Sequence, residues 1–249
     1  NLAEGDLMSY LFLALTLTVD LVSPFQSTVP GISIYNTHIV DTEGQLLRGM
    51  RPRSDKDIQE LLGAKVTDIL IFRDSPKGED TVESELALLR QNGFPTESIE
   101  VIPFKWKGIE SFSEACEQTV DALKLMRTVE NSSDRKLFFH CTVGEDRTGY
   151  LAGLYRILNE QWSPKEAYQK EMCENGYADG NPIKPDWVVA EVHANISVLY
   201  SKMVELIQAG QLSLKNLNRE VCVKLDGNFE RETAYGACES SPHYDPSIR

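Results

Sequence analysis

The chain has 249 residues, 41% of them hydrophobic, enough to bury one sizeable core, and 38 acidic against 25 basic side chains leave a net charge of −13. A surface of that sign excludes a nucleic-acid binder, whose phosphate contacts need a basic face, and it confines any positive potential for an anionic ligand to a local pocket. With no internal repeat or low-complexity tract, one main domain is expected over 31–211, preceded by an apolar segment over 1–30 and followed by a turn-rich extension over 212–249.

The uncharged apolar run over 7–19 is too short to span a bilayer, so no stable membrane insertion is expected. It has the length of a signal-peptide core, yet it lacks a basic flank and a small-x-small cleavage site; an arm packed on the domain is the alternative. Beyond it, 32–40 and 46–47 read as strands, and Arg48-Gly49-Met50-Arg51-Pro52-Arg53-Ser54 as a basic loop. Ser54 or Asp55 caps a helix carrying Ile58, Leu61 and Leu62 and closed by Gly63. A strand over 66–72, a loop over 73–78, a helix over 82–92 closed by Gly93, and a strand over 99–104 follow. The loop over 105–112 leads to a helix over 115–129, with Ser113 as its cap, and then to a strand over 136–141. The helical second half begins near Arg147, restarts at Ser163-Pro164, passes a linker over 181–185, and ends with a helix over 187–208 stopped by Gly210. Strands alternating with helices make this an α/β chain. Ligands of such sheets sit at the carboxyl ends of strands, so the loops 73–78, 105–112 and 141–147 are expected to converge.

The third of these loops is where the chemistry concentrates. Leu137-Phe138-Phe139 reads as a buried strand, and Tyr150, Leu151, Leu154, Tyr155 and Leu158 recur at helical spacing, so the residues between link a strand end to a helix start. Main-chain N–H groups in that setting converge on an anion. A thiol at Cys141, among such dipoles and the Arg147 guanidinium, is expected to ionise easily and act as a nucleophile. Arg147 offers a planar fork for two phosphoryl oxygens, and Gly144 lets the loop turn back with positive φ. Thr142, Val143, Gly144 and Glu145 complete the bowl.

His140-Cys141-x-x-Gly144-x-x-Arg147-Thr148 resembles the protein tyrosine phosphatase superfamily, in its dual-specificity branch, and is most similar to the PTP-like phytases. The resemblance spans about 46–199, is strongest over 140–149, and implies that family's fold: a central mixed, mostly parallel sheet flanked by helices, with a helical C-terminal half. It implies phosphomonoester hydrolysis through a cysteinyl-phosphate on Cys141, with Arg147 holding the equatorial oxygens and His140 fixing the loop. Thr148 would donate to the sulfur and ease its expulsion. Relatives commonly carry an acidic residue on the loop matching 105–112, in a Trp-Pro-Asp-like setting, but this loop has no Asp and only Glu110. Myotubularin-like and Sac-like branches instead write the acid as Asp-Arg-Thr, as in Asp146-Arg147-Thr148, so Asp146 is the first candidate for general acid, with Glu110 and then Asp74 as alternatives. The implied substrate is an inositol polyphosphate, met by Arg51, Lys105 and Lys107 and with Lys184 as a further option. Glu145 opposes that reading by lowering the local potential. A protein tyrosine, dual-specificity or phosphoinositide phosphatase is the alternative enzyme, and a phosphate-ester-binding pseudophosphatase the alternative of another class.

No cofactor is implied. Without a C-x2-C pair, a zinc site has little support. Leaving Cys141 free, four cysteines remain, an even number that suits disulfides; Cys222 and Cys238, flanking the turn at Asp226-Gly227-Asn228, are the expected pair in an oxidising compartment. A periplasmic or secreted location is expected on that ground, with the cytoplasm as the alternative.

Overall fold

The computed structural model describes residues 26–74, 81–175, 185–225 and 238. The apolar run over 7–19, Lys184, the turn at 226–228 and all but two residues of the loop over 73–78 lie outside the described residues. A five-stranded sheet stands at the centre in the order β1-β2-β5-β3-β4. β1 (His38–Ile39) runs antiparallel to β2 (Leu46–Met50), whereas β2, β5 (Leu137–Cys141), β3 (Asp68–Phe72) and β4 (Ile99–Ile102) run parallel. Alternate side chains serve two cores, as the two-residue period of a strand requires. Leu46, Leu70, Phe72, Leu137 and Phe139 pack on one face, and Leu47, Ile69, Ile71 and Phe138 on the other.

The second face is covered by α1 (Asp55–Gly63) and α2 (Val82–Gln91) through Ile58, Leu61, Val82 and Leu89. Ser54 caps α1 in a capping box with Asp57, and Thr81 caps α2. Gly63 does not close α1; it is the last helical residue, Ala64 is the cap, and the left-handed turn falls on Lys65 at φ +63°.

The first face is covered by α3 (Phe112–Glu130), α4 (Asp146–Glu160), α5 (Pro164–Tyr168) and α7 (Val198–Gln208). Ser111 rather than Ser113 caps α3; the Ser113 hydroxyl instead donates to the Cys222 carbonyl at 2.7 Å. A π-helical turn, Gln169–Glu174, extends α5. The expected helix over 187–208 is α6 (Asp186–Val192), a π-helical turn (His193–Ser197) and α7 in sequence.

Two expectations are corrected here. The strand over 32–40 shrinks to His38–Ile39, because Asn36 takes φ +56° and turns its amide into the protein instead of extending the chain. The disulfides are Cys116–Cys222 and Cys173–Cys238, not Cys222–Cys238. The 3-10 turn Arg219–Lys224 lies against α3, where Arg219 pairs with Asp121, so Cys222 meets a helix far away in sequence rather than its neighbour across a turn. Leu212, Cys222 and Leu225 are buried in the first core.

Candidate active site

β5 delivers Cys141 at its last residue, and α4 begins five residues later at Asp146. β2 flanks β5 in a register that sets Met50 opposite Cys141, so Arg51 is the next residue beyond that partner. Gly144 adopts φ +74°, and a Cβ there would collide with the Gly49 and Met50 backbone; the loop therefore presses on β2 at a point where only glycine fits. Glu145 at the N-cap of α4 makes no side-chain capping bond, which leaves first-turn N–H groups for an anion.

Cys141 is a free, buried thiol. Burial alone pushes its pKa up, but the Arg147 charge, the Thr148 hydroxyl and the Thr148 N–H together hold it below the ordinary cysteine value, against a smaller opposing push from Asp146. The Thr148 hydroxyl is buried with no nitrogen or oxygen partner, which reserves it for the sulfur. Arg147 is held from two sides: Nη1 donates to Asp74 Oδ1 at 2.7 Å and to the Phe104 carbonyl at 3.1 Å, and Nη2 donates to Thr142 Oγ1 at 3.1 Å. The same Phe104 carbonyl accepts the Asp74 N–H at 3.1 Å, so the ends of β3 and β4 both meet the arginine. Of the three loops expected to converge, the first is thus met through Asp74 and the second only through Phe104, the residue that precedes it.

Next to Cys141 in the chain, His140 is fully buried. Its Nδ1 lies 3.0 Å from the Cys141 carbonyl, which can only accept. Its Nε2 lies 3.0 Å from Glu85 Oε1. Glu85 Oε2 receives Arg73 Nη2 at 2.6 Å and Nε at 3.2 Å. Burial pushes the Glu85 pKa up, but His140 and Arg73 outweigh that and hold it below the usual carboxylate range. A buried chain, Arg73–Glu85–His140, therefore fixes the start of the loop from α2 and β3.

Of the candidate acids, Asp146 is buried in the first turn of α4, close enough to the sulfur to raise its pKa. Asp74 is half-exposed and bound to Arg147. Glu110 is exposed, in a shallow groove with Lys105, Glu114 and Gln118 whose lining includes no residue of the loop 141–147. Val143 is the exposed member of the loop, and Glu145 is buried with Oε1 3.2 Å from the Tyr35 hydroxyl. Among the basic candidates, Arg51 is buried beside the loop, Lys105 lines the Glu110 groove, and Lys107 holds its ammonium 5.2 and 5.4 Å from the Trp106 and Trp187 ring centres.

Sequence reasoning missed Arg48, placing it in a basic loop. It lies inside β2, fully buried and paired with Glu171 at 2.6 Å. Glu85, Arg73, Asn36 and Glu171 were missed as well. The available signal was an arginine inside or just after an apolar strand, Leu46-Leu47-Arg48 and Leu70-Ile71-Phe72-Arg73, since a buried charge demands a buried partner. Among the described residues, no cluster of His, Cys, Asp and Glu could hold a metal ion, and no helix is long and apolar enough to cross a membrane.

No protein-family model and no curated protein matches this chain. Among solved structures, TpbA of P. aeruginosa is 22% identical with a TM-score of 0.46, the match covering 72% of this chain and 95% of that one. The core catalytic domain of the S. cerevisiae PP-IP phosphatase SIW14, in complex with citrate, is 21% identical with a TM-score of 0.43, covering 68% and 93%. The PTP-2 phosphatase of Cydia pomonella is 15% identical with a TM-score of 0.42, covering 63% and 86%.

Proposed function

We propose that this chain hydrolyses phosphate monoesters through a cysteinyl-phosphate intermediate. The observation that carries the reading is the free Cys141 thiol, its pKa held below the ordinary cysteine value by Arg147 and Thr148, beside the uncapped start of α4. In the first step the sulfur lone pair attacks phosphorus, the P–O bond to the leaving group breaks, and Asp146 gives that oxygen its proton. In the second, water attacks phosphorus and gives a proton to Asp146, and the P–S bond breaks with its electron pair going to sulfur, to which the Thr148 hydroxyl donates a hydrogen bond. Arg147 and the loop N–H groups carry the charge on the equatorial oxygens throughout.

For the substrate we propose an inositol polyphosphate. Support comes from the motif's resemblance and from Arg51, one residue past the nucleophile's register partner; Lys105 and Lys107, the other basic candidates, face a separate groove and a pair of Trp rings. A second reading, a singly phosphorylated aryl or lipid ester, is favoured by the carboxylates of Asp74 and Glu145 beside the loop and by the exposed Val143. Phosphate release from inositol hexakisphosphate beside phosphotyrosine peptides and a phosphoinositide separates the two, and EDTA is expected to leave the rate unchanged. Loss of turnover with retained ligand binding in Cys141→Ser supports the enzyme; a parent protein that binds these esters and releases no phosphate is a binder instead. The two disulfides support an oxidising compartment, periplasmic or secreted, as part of this proposal.

A further inference from the structure

Two buried donors from outside the phosphate loop close on one of its carbonyls. The Gly144 oxygen accepts Arg48 Nη2 at 2.7 Å and Asn36 Nδ2 at 2.8 Å. The same two groups reach the Asn175 carbonyl, at 2.7 and 2.5 Å, just past the π-helical turn. Both side chains are fully buried and both are held in turn. Arg48 Nη1 donates to Glu171 Oε2 at 2.6 Å and to the Glu171 carbonyl at 3.1 Å, while Asn36 Oδ1 sits 2.7 Å from His38 Nε2. Asn36 also takes a left-handed backbone, φ +56°, which asparagine tolerates better than most residues.

In a trans peptide the C=O and N–H point in opposite directions, and the described residues include no cis bond. Fixing the Gly144 oxygen on Arg48 and Asn36 therefore turns the Glu145 N–H away from those two side chains. We propose that Arg48 and Asn36 are positioning residues, whose grip on the Gly144 carbonyl presents the Glu145 N–H to the thiolate and to the phosphoryl oxygens. Glu171 neutralises Arg48 at close range, so the pair acts through orientation rather than as an added positive charge.

This inference rests on Cys141 being the nucleophile, and its test uses two readouts so that the failures separate. Asn36→Gly removes the amide while tolerating the left-handed backbone without strain. In the folded variant, checked by circular dichroism and thermal unfolding, kcat on p-nitrophenyl phosphate is expected to fall about tenfold with KM moving less than about threefold. The pH midpoint for alkylation of Cys141 by iodoacetate is expected to rise by about one unit, with Cys141→Ser as the blank. Arg48→Lys keeps a charge for Glu171 but has no fork to reach both carbonyls, and is expected to lose about 10²-fold in kcat, the scale of one missing oxyanion donor. Either folded variant decides: a lowered melting temperature with kcat and the alkylation midpoint both unchanged overturns the proposal. A parent protein that hydrolyses no phosphate ester sinks the proposed function, and the alkylation midpoints still decide the positioning role.

Discussion

Asp146 and Asp74 both stand by Arg147, but they are differently committed. Asp74 spends Oδ1 on the Arg147 guanidinium at 2.7 Å, whereas Asp146 sits in the first turn of α4 beside the sulfur. Asp146→Asn is expected to lower kcat about 10²-fold on an alkyl phosphate, whose leaving oxygen needs a proton, and by less than about threefold on p-nitrophenyl phosphate, whose leaving group does not. Equal losses on the two substrates would remove Asp146 from the role, and Asp74→Asn then takes the same assay. The thiol supplies a second prediction at this scale. Because its folded pKa lies below the ordinary value, the nucleophilic form persists as pH drops under about 8.5 and is lost only as pH falls through the lowered value. The alkylation midpoint of the parent should therefore lie below about 8.5, and Arg147→Ala should move it upward; a parent midpoint at or above about 8.5 would contradict the site's electrostatics.

At the scale of elements, the π-helical turn after α5 is tied to the sheet by charge. Glu171, buried, receives Arg48 on one oxygen and Arg156 Nε on the other at 2.8 Å, and Gly149 in α4 passes so close to its carbonyl that a Cβ would collide there. Burial pushes the Glu171 pKa up, but the two arginines outweigh it and hold it low, and Glu85 behaves likewise. A carboxylate whose folded pKa is depressed contributes stability above its unfolded value, near pH 4.3, and forfeits it as pH falls through the folded one. His38 has the opposite chemistry but the same consequence. Burial lowers it to about 4 from 6.5, so the unfolded chain takes the proton first and stability falls as pH drops from about 6.5 to about 4. Denaturant titrations at stepped pH should show His38→Gln with a flatter profile in that window than the parent. Glu171→Gln, which leaves buried arginine charge uncompensated, is expected to cost about 3–5 kcal/mol at pH 7. An unchanged denaturation midpoint would mean that the turn is held by packing alone.

Across the whole molecule, the two disulfides draw the C-terminal residues onto the first core. They join positions 106 and 65 residues apart, separations for which cross-linking removes about 4 kcal/mol of unfolded-chain freedom each in the loop-entropy account. Cys116→Ala with Cys222→Ala is expected to lower the melting temperature by about 10 °C, and a reducing agent applied to the parent to do at least as much. A melt indifferent to reductant would show that the C-terminal segment adds nothing to the cooperative unit.

Local signals in the chain were sufficient for the alternation of strands and helices, for Ser54 and Ser163 as helix starts, and for the loop between His140 and Thr148. Each is written within a few residues, by two-residue or 3.6-residue periodicity, a capping side chain, or a nucleophile and guanidinium at fixed spacing. What surrounds that loop was decided only when distant segments met. Arg73, Glu85, Arg48, Asn36 and Glu171 are ordinary charged or polar residues in the sequence, and their meaning comes from burial, which forces each to find its partner 12 to 139 residues away. The disulfide pairing belongs to the same class. A thiol bonds to whatever the tertiary fold brings within reach, and turn composition between two cysteines says nothing of α3, which carries Cys116 to Cys222.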